Sequence, residues 1–181
     1  EKIVDNLGIT DPAVKQNVLY ILANRYFKLN DIYEVRDQKV KYAKAVLTGA
    51  SKQAAIEAAE LEKDATLYRC HFEFPASLSL YINDKQIDAI KDGMTYNSLQ
   101  VQYESLVDMV PSLTEEEKKQ IYAWYKEARE FSMDAENSDK KHAAFNKYKG
   151  RINNYLTKRG YDLVKERNEW YKRLKAAGKK I

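Results

Sequence analysis

The side chains that could bind an oxygen-rich ligand are concentrated in one stretch of the C-terminal part of the chain. His142, Asn146, Lys149 and Asn153 follow one another at steps of three or four residues. In a helix this spacing places them on one face, because each residue turns the chain by about 100°. Ammonium and amide groups donate hydrogen bonds to hydroxyl or carboxylate oxygens. The polar ridge that these residues form is therefore a candidate binding surface, and Arg151 of the same stretch is a further candidate donor.

Two arginines near the N-terminus interrupt an apolar pattern. Arg25 and Arg36 fall within about 40° of Leu29 on a helical projection, so they lie inside the apolar stripe. A buried guanidinium must pair with a carboxylate, snorkel to solvent or face a polar cavity. Two interpretations stay open: a ligand pocket lined by both arginines, or an internal network with acids drawn from Asp31, Asp37, Glu127 and Asp134. In the network, Arg36→Ala is expected to cost about 3 kcal/mol or more, because it strands a buried carboxylate.

Signatures of catalysis or metal binding are missing from the sequence. It contains no GxSxG, HExxH, Walker or GxGxxG motif. Two histidines are too few for the common His-rich metal sites, and the single Cys70 excludes a disulfide or a Cys-based zinc site within one chain. An enzyme is therefore disfavoured, and neither a cofactor nor a metal is expected.

The polar ridge belongs to a predicted helix between His142 and Asp162. Its core stripe recurs at steps of three and four residues and consists of Phe145, Tyr148, Ile152, Tyr155 and Leu156. Gly150, in the middle of the helix, indicates close approach of another backbone or of a ligand. Gly160 is typical of a residue that ends a helix in the left-handed backbone conformation.

Start and stop signals delimit the other predicted helices. Thr10-Asp11-Pro12 starts a long helix that ends at Gly49, and Ser51 is expected to cap the next helix. Pro75 is expected to kink or break that second helix. Two short helices are expected next, one that starts at Asn83 or Asp84 and ends at Gly93 and one that ends at Val110. Further starts are the capping box Thr114 to Glu117, then Asn137 or Ser138, then Asp162. The core stripe predicted for the second long helix consists of Ala54, Ala58, Leu61, Ala65, Tyr68 and Phe72. The stripe predicted for the helix that starts at Thr114 consists of Ile121, Trp124, Ala128 and Phe131.

These elements predict an all-α fold, a single-domain helical bundle of six or seven helices. It is built on a long antiparallel N-terminal hairpin, about Thr10 to Thr48 and Ser51 to Phe74, packed against the helices after Thr114. One domain is expected over residues 1–181, with an irregular lead-in over 1–9 and a frayed tail over 179–181.

Charge is unevenly distributed along the 181 residues. The net charge is +4, but residues 139–181 contain 14 Lys and Arg against 4 Asp and Glu. This asymmetry fits either neutralisation within one fold or a basic face for an acidic polysaccharide or nucleic acid. No dedicated nucleic-acid motif is present, so nucleic acid is not expected as a partner. No apolar run reaches the roughly 18 residues of a membrane span. The 14 tyrosines either pack the core or form stacking platforms for sugars or bases.

Several motifs together resemble a known family. The stretches KYKGRINNYLTKRGYDL, KDGMTYN, SLTEEEKKQIYAWYKEARE and LNDIYEVRD resemble an uncharacterised family of secreted bacterial helical domains of unknown function, described as sugar-binding. The resemblance spans most of the chain. It implies export in a Gram-negative bacterium that degrades polysaccharides, to a secreted or periplasmic location after removal of a signal peptide. Pro75 departs from the long helix expected there.

The combined interpretation is a non-catalytic carbohydrate-binding or polysaccharide-utilisation accessory domain. Its partner would be an oligosaccharide or an acidic polysaccharide, bound through Arg25, Arg36, Asn146, Lys149, Arg151 and Asn153. The alternative is a helical protein-interaction or structural module without a small-molecule ligand. An exposed Trp or Tyr beside amides and Arg in a groove favours the first, whereas a flat apolar patch favours a protein partner.

Overall fold

A computed structural model describes residues 2–179, which are mostly helical and contain no strand. The all-α class is therefore confirmed. The helices within this range are α1 (Lys2–Asp5), α2 (Pro12–Val46), α3 (Gly49–His71), α4 (Glu73–Leu78), α5 (Asp84–Met94), α6 (Ser98–Met109), α7 (Glu115–Met133), α8 (Ser138–Lys158) and α9 (Leu163–Ala176).

The chain forms two compact units, unit 1 over residues 1–90 and unit 2 over residues 91–181. Unit 1 contains α1 to α4 and most of α5, and unit 2 contains α6 to α9. A single domain over residues 1–181 stays a prediction.

Two of the observed helices were not expected from the sequence. Residues 2–5 form a helical turn within the predicted irregular lead-in, and α4 is a separate short helix after the second long one. Pro75 is the third residue of α4, where its missing N–H removes no intrahelical bond. The predicted break near Pro75 is confirmed. Of the predicted frayed tail, residues 180 and 181 lie outside the described range.

Unit 1 is built mainly from α2 packed against α3. Contacts between the two helices include those of Arg25 with the Cys70 carbonyl, Arg36 with Glu60 and Lys39 with Glu62. The antiparallel arrangement of the hairpin stays a prediction. The apolar residues buried in these two helices are Val18, Leu22, Leu29, Ala43, Ala59, Leu67 and Cys70. The apolar stripe that the sequence predicts for α2 contains all four of its buried apolar residues and consists of Val14, Val18, Leu22, Tyr26, Leu29, Tyr33, Val40, Ala43 and Leu47.

The stripe predicted for α3 was wrong, since it lies on the exposed face of that helix. Leu61, Tyr68 and Phe72 are exposed, whereas Ala59 and Leu67 are buried. The buried face of α3 carries Lys63, whose ammonium contacts Glu60 at 2.7 Å. A prediction from apolar spacing disfavours a face that contains such polar residues. It favours the opposite face, which carries the large apolar side chains.

Unit 2 is organised around a continuous apolar core. Its buried members are Leu99, Leu106, Val110, Leu113, Ile121, Tyr125, Ala128, Phe145, Tyr148, Ile152 and Leu156. The predicted stripe of α8 is confirmed, with Tyr155 partly buried beside it. In α7, Ile121 and Ala128 are buried as predicted, but Phe131 is exposed.

The helix starts of unit 2 follow the sequence signals. Thr114 and Glu117 form the predicted capping box, and the side chains of Asn137 and Asp162 cap α8 and α9. Gly160 ends α8 with φ +94°. In unit 1, Asp11 caps α2, but α3 begins at Gly49 rather than at a Ser51 cap. These caps fix where α7 and α8 begin, and these two helices form the site described next.

Candidate functional site

An open groove of about 860 Å³ runs along the surface shared by α7 and α8. From α7 it is lined by residues at steps of three and four. From α8 it is lined by residues that cover about three turns. The lining residues are Trp124, Glu127, Phe131, Lys147, Tyr148, Gly150, Arg151, Asn154, Tyr155 and Lys158.

Three cross-helix pairs follow one another along the groove. The rings of Phe131 and Tyr148 stack with centroids 6.3 Å apart. The rings of Trp124 and Tyr155 meet edge to face at 5.0 Å. Between them, the Arg151 guanidinium contacts the Glu127 carboxylate at 3.4 Å. Successive members on each helix are three or four residues apart, so the two aromatic pairs are separated by about 10 Å along the helix axes.

Aromatic rings hold the Arg151 guanidinium in place. Its Cζ lies 4.8 Å from the Trp124 ring centroid and 5.9 Å from that of Tyr148. A planar guanidinium that lies over aromatic rings keeps its N–H groups in its own plane, available to an acceptor. The Arg151 and Glu127 side chains are 53% and 48% exposed. The donors at the centre of the groove are therefore positioned by aromatic contacts and accessible from solvent.

The polar residues around this centre are mainly hydrogen-bond donors. Lys147, Lys158 and Asn154 are exposed on α8. Among the described residues that line the groove, Glu127 supplies the one carboxylate. Burial, together with a hydrogen bond to Glu127, raises the pKa of Tyr148 to about 12, so its hydroxyl stays protonated at neutral pH.

Gly150 lies on the exposed side of α8, where it borders the groove. A Cβ atom at this position would have no neighbouring heavy atom within 4 Å. Of the two explanations offered for this glycine, close approach of another backbone is excluded within the described residues. Open space beside the helix backbone is what the structure places there.

Four of the six predicted site residues lie on α8, but only one lines the groove. Arg151 is a groove residue. Asn146 and Lys149 are exposed and Asn153 is half-buried. Relative to the buried Ile152, Asn153 projects about 100° to one side and Arg151 about 100° to the other. The polar ridge therefore follows the opposite flank of the core stripe from the groove, and ligand binding by the ridge stays a prediction.

The other two predicted residues, Arg25 and Arg36, belong to unit 1. Arg25 is buried; its Nη1 donates to the Cys70 carbonyl at 3.0 Å and its guanidinium lies 5.7 Å from the Phe74 ring. Arg36 contacts Asp37 at 2.6 Å and Glu60 at 3.1 Å. Pairing with Asp37 was among the expected alternatives, while Glu60 was not considered.

The acids that pair with Arg36 are not buried, and this changes the expected energetics. The Asp37 side chain is 59% exposed and that of Glu60 is 39% exposed. A side-chain hydrogen bond from Lys63 lowers the pKa of Glu60, and Arg36 adds to this effect. Removing Arg36 therefore strands no buried carboxylate, and we expect a cost below the roughly 3 kcal/mol that the network interpretation predicts.

The aromatic residues of the groove were assigned to the core by sequence reasoning. Trp124, Tyr148 and Tyr155 do pack against the core of unit 2, but each also lines the groove. The signal that could have revealed the groove is the i, i+7 recurrence of aromatic residues on both helices, Trp124 with Phe131 and Tyr148 with Tyr155.

Two other kinds of site are absent from residues 2–179. Groups of three or more His, Cys, Asp or Glu side chains that could hold a metal ion do not occur among them. None of the helices in that range is long and apolar enough to cross a membrane.

Comparison with known proteins identifies a family without identifying an activity. No curated protein matches the chain. A family model described as a protein of unknown function (DUF3826) matches residues 1–176, nearly the whole chain, and the chain therefore belongs to that family.

Proposed function

We propose that unit 2 is a non-catalytic saccharide-binding module whose site is the groove between α7 and α8. The supporting observation is the row of Phe131/Tyr148, Glu127/Arg151 and Trp124/Tyr155 pairs along this groove. The criterion of an exposed Trp or Tyr beside amides and Arg is met only in part, because Trp124 and Tyr155 are half-buried and the exposed ring in the groove is that of Phe131.

The chemistry of a saccharide matches this arrangement. A pyranose ring has C–H faces that pack on aromatic side chains and hydroxyls that both donate and accept hydrogen bonds. Phe131, which is 63% exposed, offers an aromatic surface at one end of the groove. Arg151, Asn154 and Glu127 supply donors and acceptors near its centre. Such a mixture of apolar surface and a few fixed polar groups is typical of small-molecule sites.

The biological setting of this proposal comes from the family resemblance. We propose that the protein is exported by a bacterium that uses polysaccharides, and that it acts there as an accessory domain. Fractionation of a host that expresses the full-length natural protein tests the location. Recovery from the periplasm or medium supports export, and recovery in the cytosol contradicts it.

A binding screen tests the function. The protein is applied to an array of neutral and acidic oligosaccharides, and hits are measured by titration calorimetry. Phe131→Ala is expected to weaken binding about tenfold while the fold is retained, because it removes an exposed contact surface. Tyr20→Ala is the matched control, since Tyr20 is 61% exposed on α2 in the other unit. The control is expected to bind like the wild type.

The alternative is a helical protein-interaction module, and one observation favours it. Leu61, Tyr68 and Phe72 form an exposed apolar stripe on α3. Exposed apolar patches often mark protein interfaces. If no saccharide binds on the array, the groove proposal fails and the α3 stripe becomes the better candidate.

A further inference from the structure

We propose that the groove recognises a carboxylate-bearing saccharide, an oligo-uronate, and that Arg151 is the residue that binds the sugar carboxylate. This inference rests on the proposed saccharide-binding function and specifies its ligand class.

The first argument is the fixed geometry of the Arg151 guanidinium. Trp124 and Tyr148 hold it at 4.8 Å and 5.9 Å from their ring centroids. A flexible arginine loses side-chain entropy when it binds, whereas one already packed against rings loses less. The N–H groups in the guanidinium plane match the two oxygens of a carboxylate. The position thus suits a carboxylate better than a neutral hydroxyl.

The second argument is that Glu127 already shows where a carboxylate fits. Its Oε2 lies 3.4 Å from Nη1 of Arg151, which is long for a charged hydrogen bond. Both side chains are about half-exposed, and an exposed ion pair of this kind contributes little to stability. A ligand carboxylate can therefore replace Glu127 at Arg151 at small cost.

The third argument is the charge along α8. Lys147 and Lys158 lie four residues before and seven residues after Arg151 in the groove lining. At 1.5 Å per residue, the three cations extend over about 16 Å of the helix. An extended row of cations fits a ligand with several negative charges along its length rather than a single small acid.

Titration calorimetry with two matched ligands tests this inference. One is an oligo-uronate, and the other is the same oligosaccharide with its carboxylates reduced to alcohols. The wild-type protein is expected to bind the uronate at least about tenfold more tightly, because charged hydrogen bonds contribute more than neutral ones. Arg151→Gln is expected to remove this preference while binding of the neutral ligand remains. Lys44→Gln, which removes an exposed cation from α2 in unit 1, is the control and keeps the preference.

Glu127→Gln provides a second, opposite test. It removes the carboxylate that competes for Arg151, so uronate binding is expected to become tighter by a few-fold. Equal binding of the two ligands by the wild type would overturn the uronate inference and leave saccharide binding standing. Failure of both ligands to bind overturns the inference and counts against the proposed function as well. A preference that survives in Arg151→Gln refutes the assignment to Arg151.

Discussion

Glu117 is the residue whose surroundings most clearly determine its charge. It is 2% exposed at the start of α7. Its carboxylate accepts hydrogen bonds from the Thr114 backbone N–H at 2.9 Å, Arg159 Nε at 2.6 Å and the Tyr161 hydroxyl at 2.7 Å. Burial alone raises its pKa, but the hydrogen bonds from Tyr161, Thr114 and Arg159 together outweigh burial and lower the pKa to about 2. The carboxylate therefore joins the α7 cap to the end of α8 as an anion.

We expect Glu117→Gln to destabilise the protein by about 2 kcal/mol at neutral pH, because an amide makes weaker hydrogen bonds to these donors. Since the folded pKa is lowered from 4.5 to about 2, the contribution of Glu117 is full above about pH 4.5 and is lost as the pH falls towards 2. Urea unfolding at several pH values measures this. The difference in the free energy of unfolding between wild type and Glu117→Gln should shrink over that pH range. A constant difference would show that Glu117 does not cause this pH dependence.

Gly150 is a position where we predict that a substitution stabilises the protein. We expect Gly150→Ala to stabilise the protein by about 1 kcal/mol, because alanine is the better helix former and its Cβ meets open space. Gly160→Ala is the matched comparison. Gly160 has φ +94°, so a side chain there is strained and the variant should lose about 1 kcal/mol. Thermal unfolding followed by circular dichroism measures both. A less stable Gly150→Ala variant would mean that another group packs at this turn.

At the scale of elements, local signals predicted helix ends better than helix faces. Asp11, Thr114 and Asn137 cap their helices as expected, because a cap depends on neighbouring residues alone. The buried face depends on which residues the neighbouring helix offers. On α3, Lys63 and Glu60 are accommodated at the contact with α2 through Arg36, and this pairing across helices is not visible from one helix.

The contact between α2 and α3 depends on small side chains. Ala59 is buried, while Ala58 is exposed. We expect Ala59→Leu to cost about 1–3 kcal/mol, because additional methyl groups at a packed contact force the helices apart. Ala58→Leu should change stability by less than about 0.5 kcal/mol. Urea unfolding of the two variants compares adjacent positions of one helix. Equal losses of stability in the two variants would contradict the placement of Ala59 on the buried face of α3.

Only part of the candidate site was predicted, because its local features are visible in the sequence and the packing between helices is not. The sequence identified α8 and Arg151, because helical spacing and donor chemistry are local properties. It placed the surface on the flank of Lys149 and Asn153, since that flank is polar along its length. The groove lies on the other flank, where α7 contributes Trp124, Glu127 and Phe131. Only the packing of α7 against α8 brings those residues to Arg151.

At the scale of the whole molecule, charge asymmetry bears on the proposed ligand. Residues 139–181 are strongly basic, whereas the rest of the chain carries more Asp and Glu than Lys and Arg, and α8 presents three cations in the groove. We expect binding of an oligo-uronate to weaken at least about tenfold when NaCl is raised from about 50 mM to about 500 mM, because salt screens exposed charges. Binding of the carboxyl-reduced ligand should change little. Calorimetry at both salt concentrations measures the difference, and an equal salt response would argue against carboxylate recognition.

The contact of Arg151 with Trp124 also gives the molecule an optical reporter. The chain has two tryptophans. Trp170 donates its indole N–H to Asp108 at 2.6 Å, outside the groove, whereas the indole of Trp124 lies against the guanidinium at the groove centre. Indole fluorescence responds to nearby charge and to solvent. In a Trp170→Phe protein the indole emission would therefore come from the groove alone, and its spectrum would record a change around Trp124 and Arg151 when a ligand arrives.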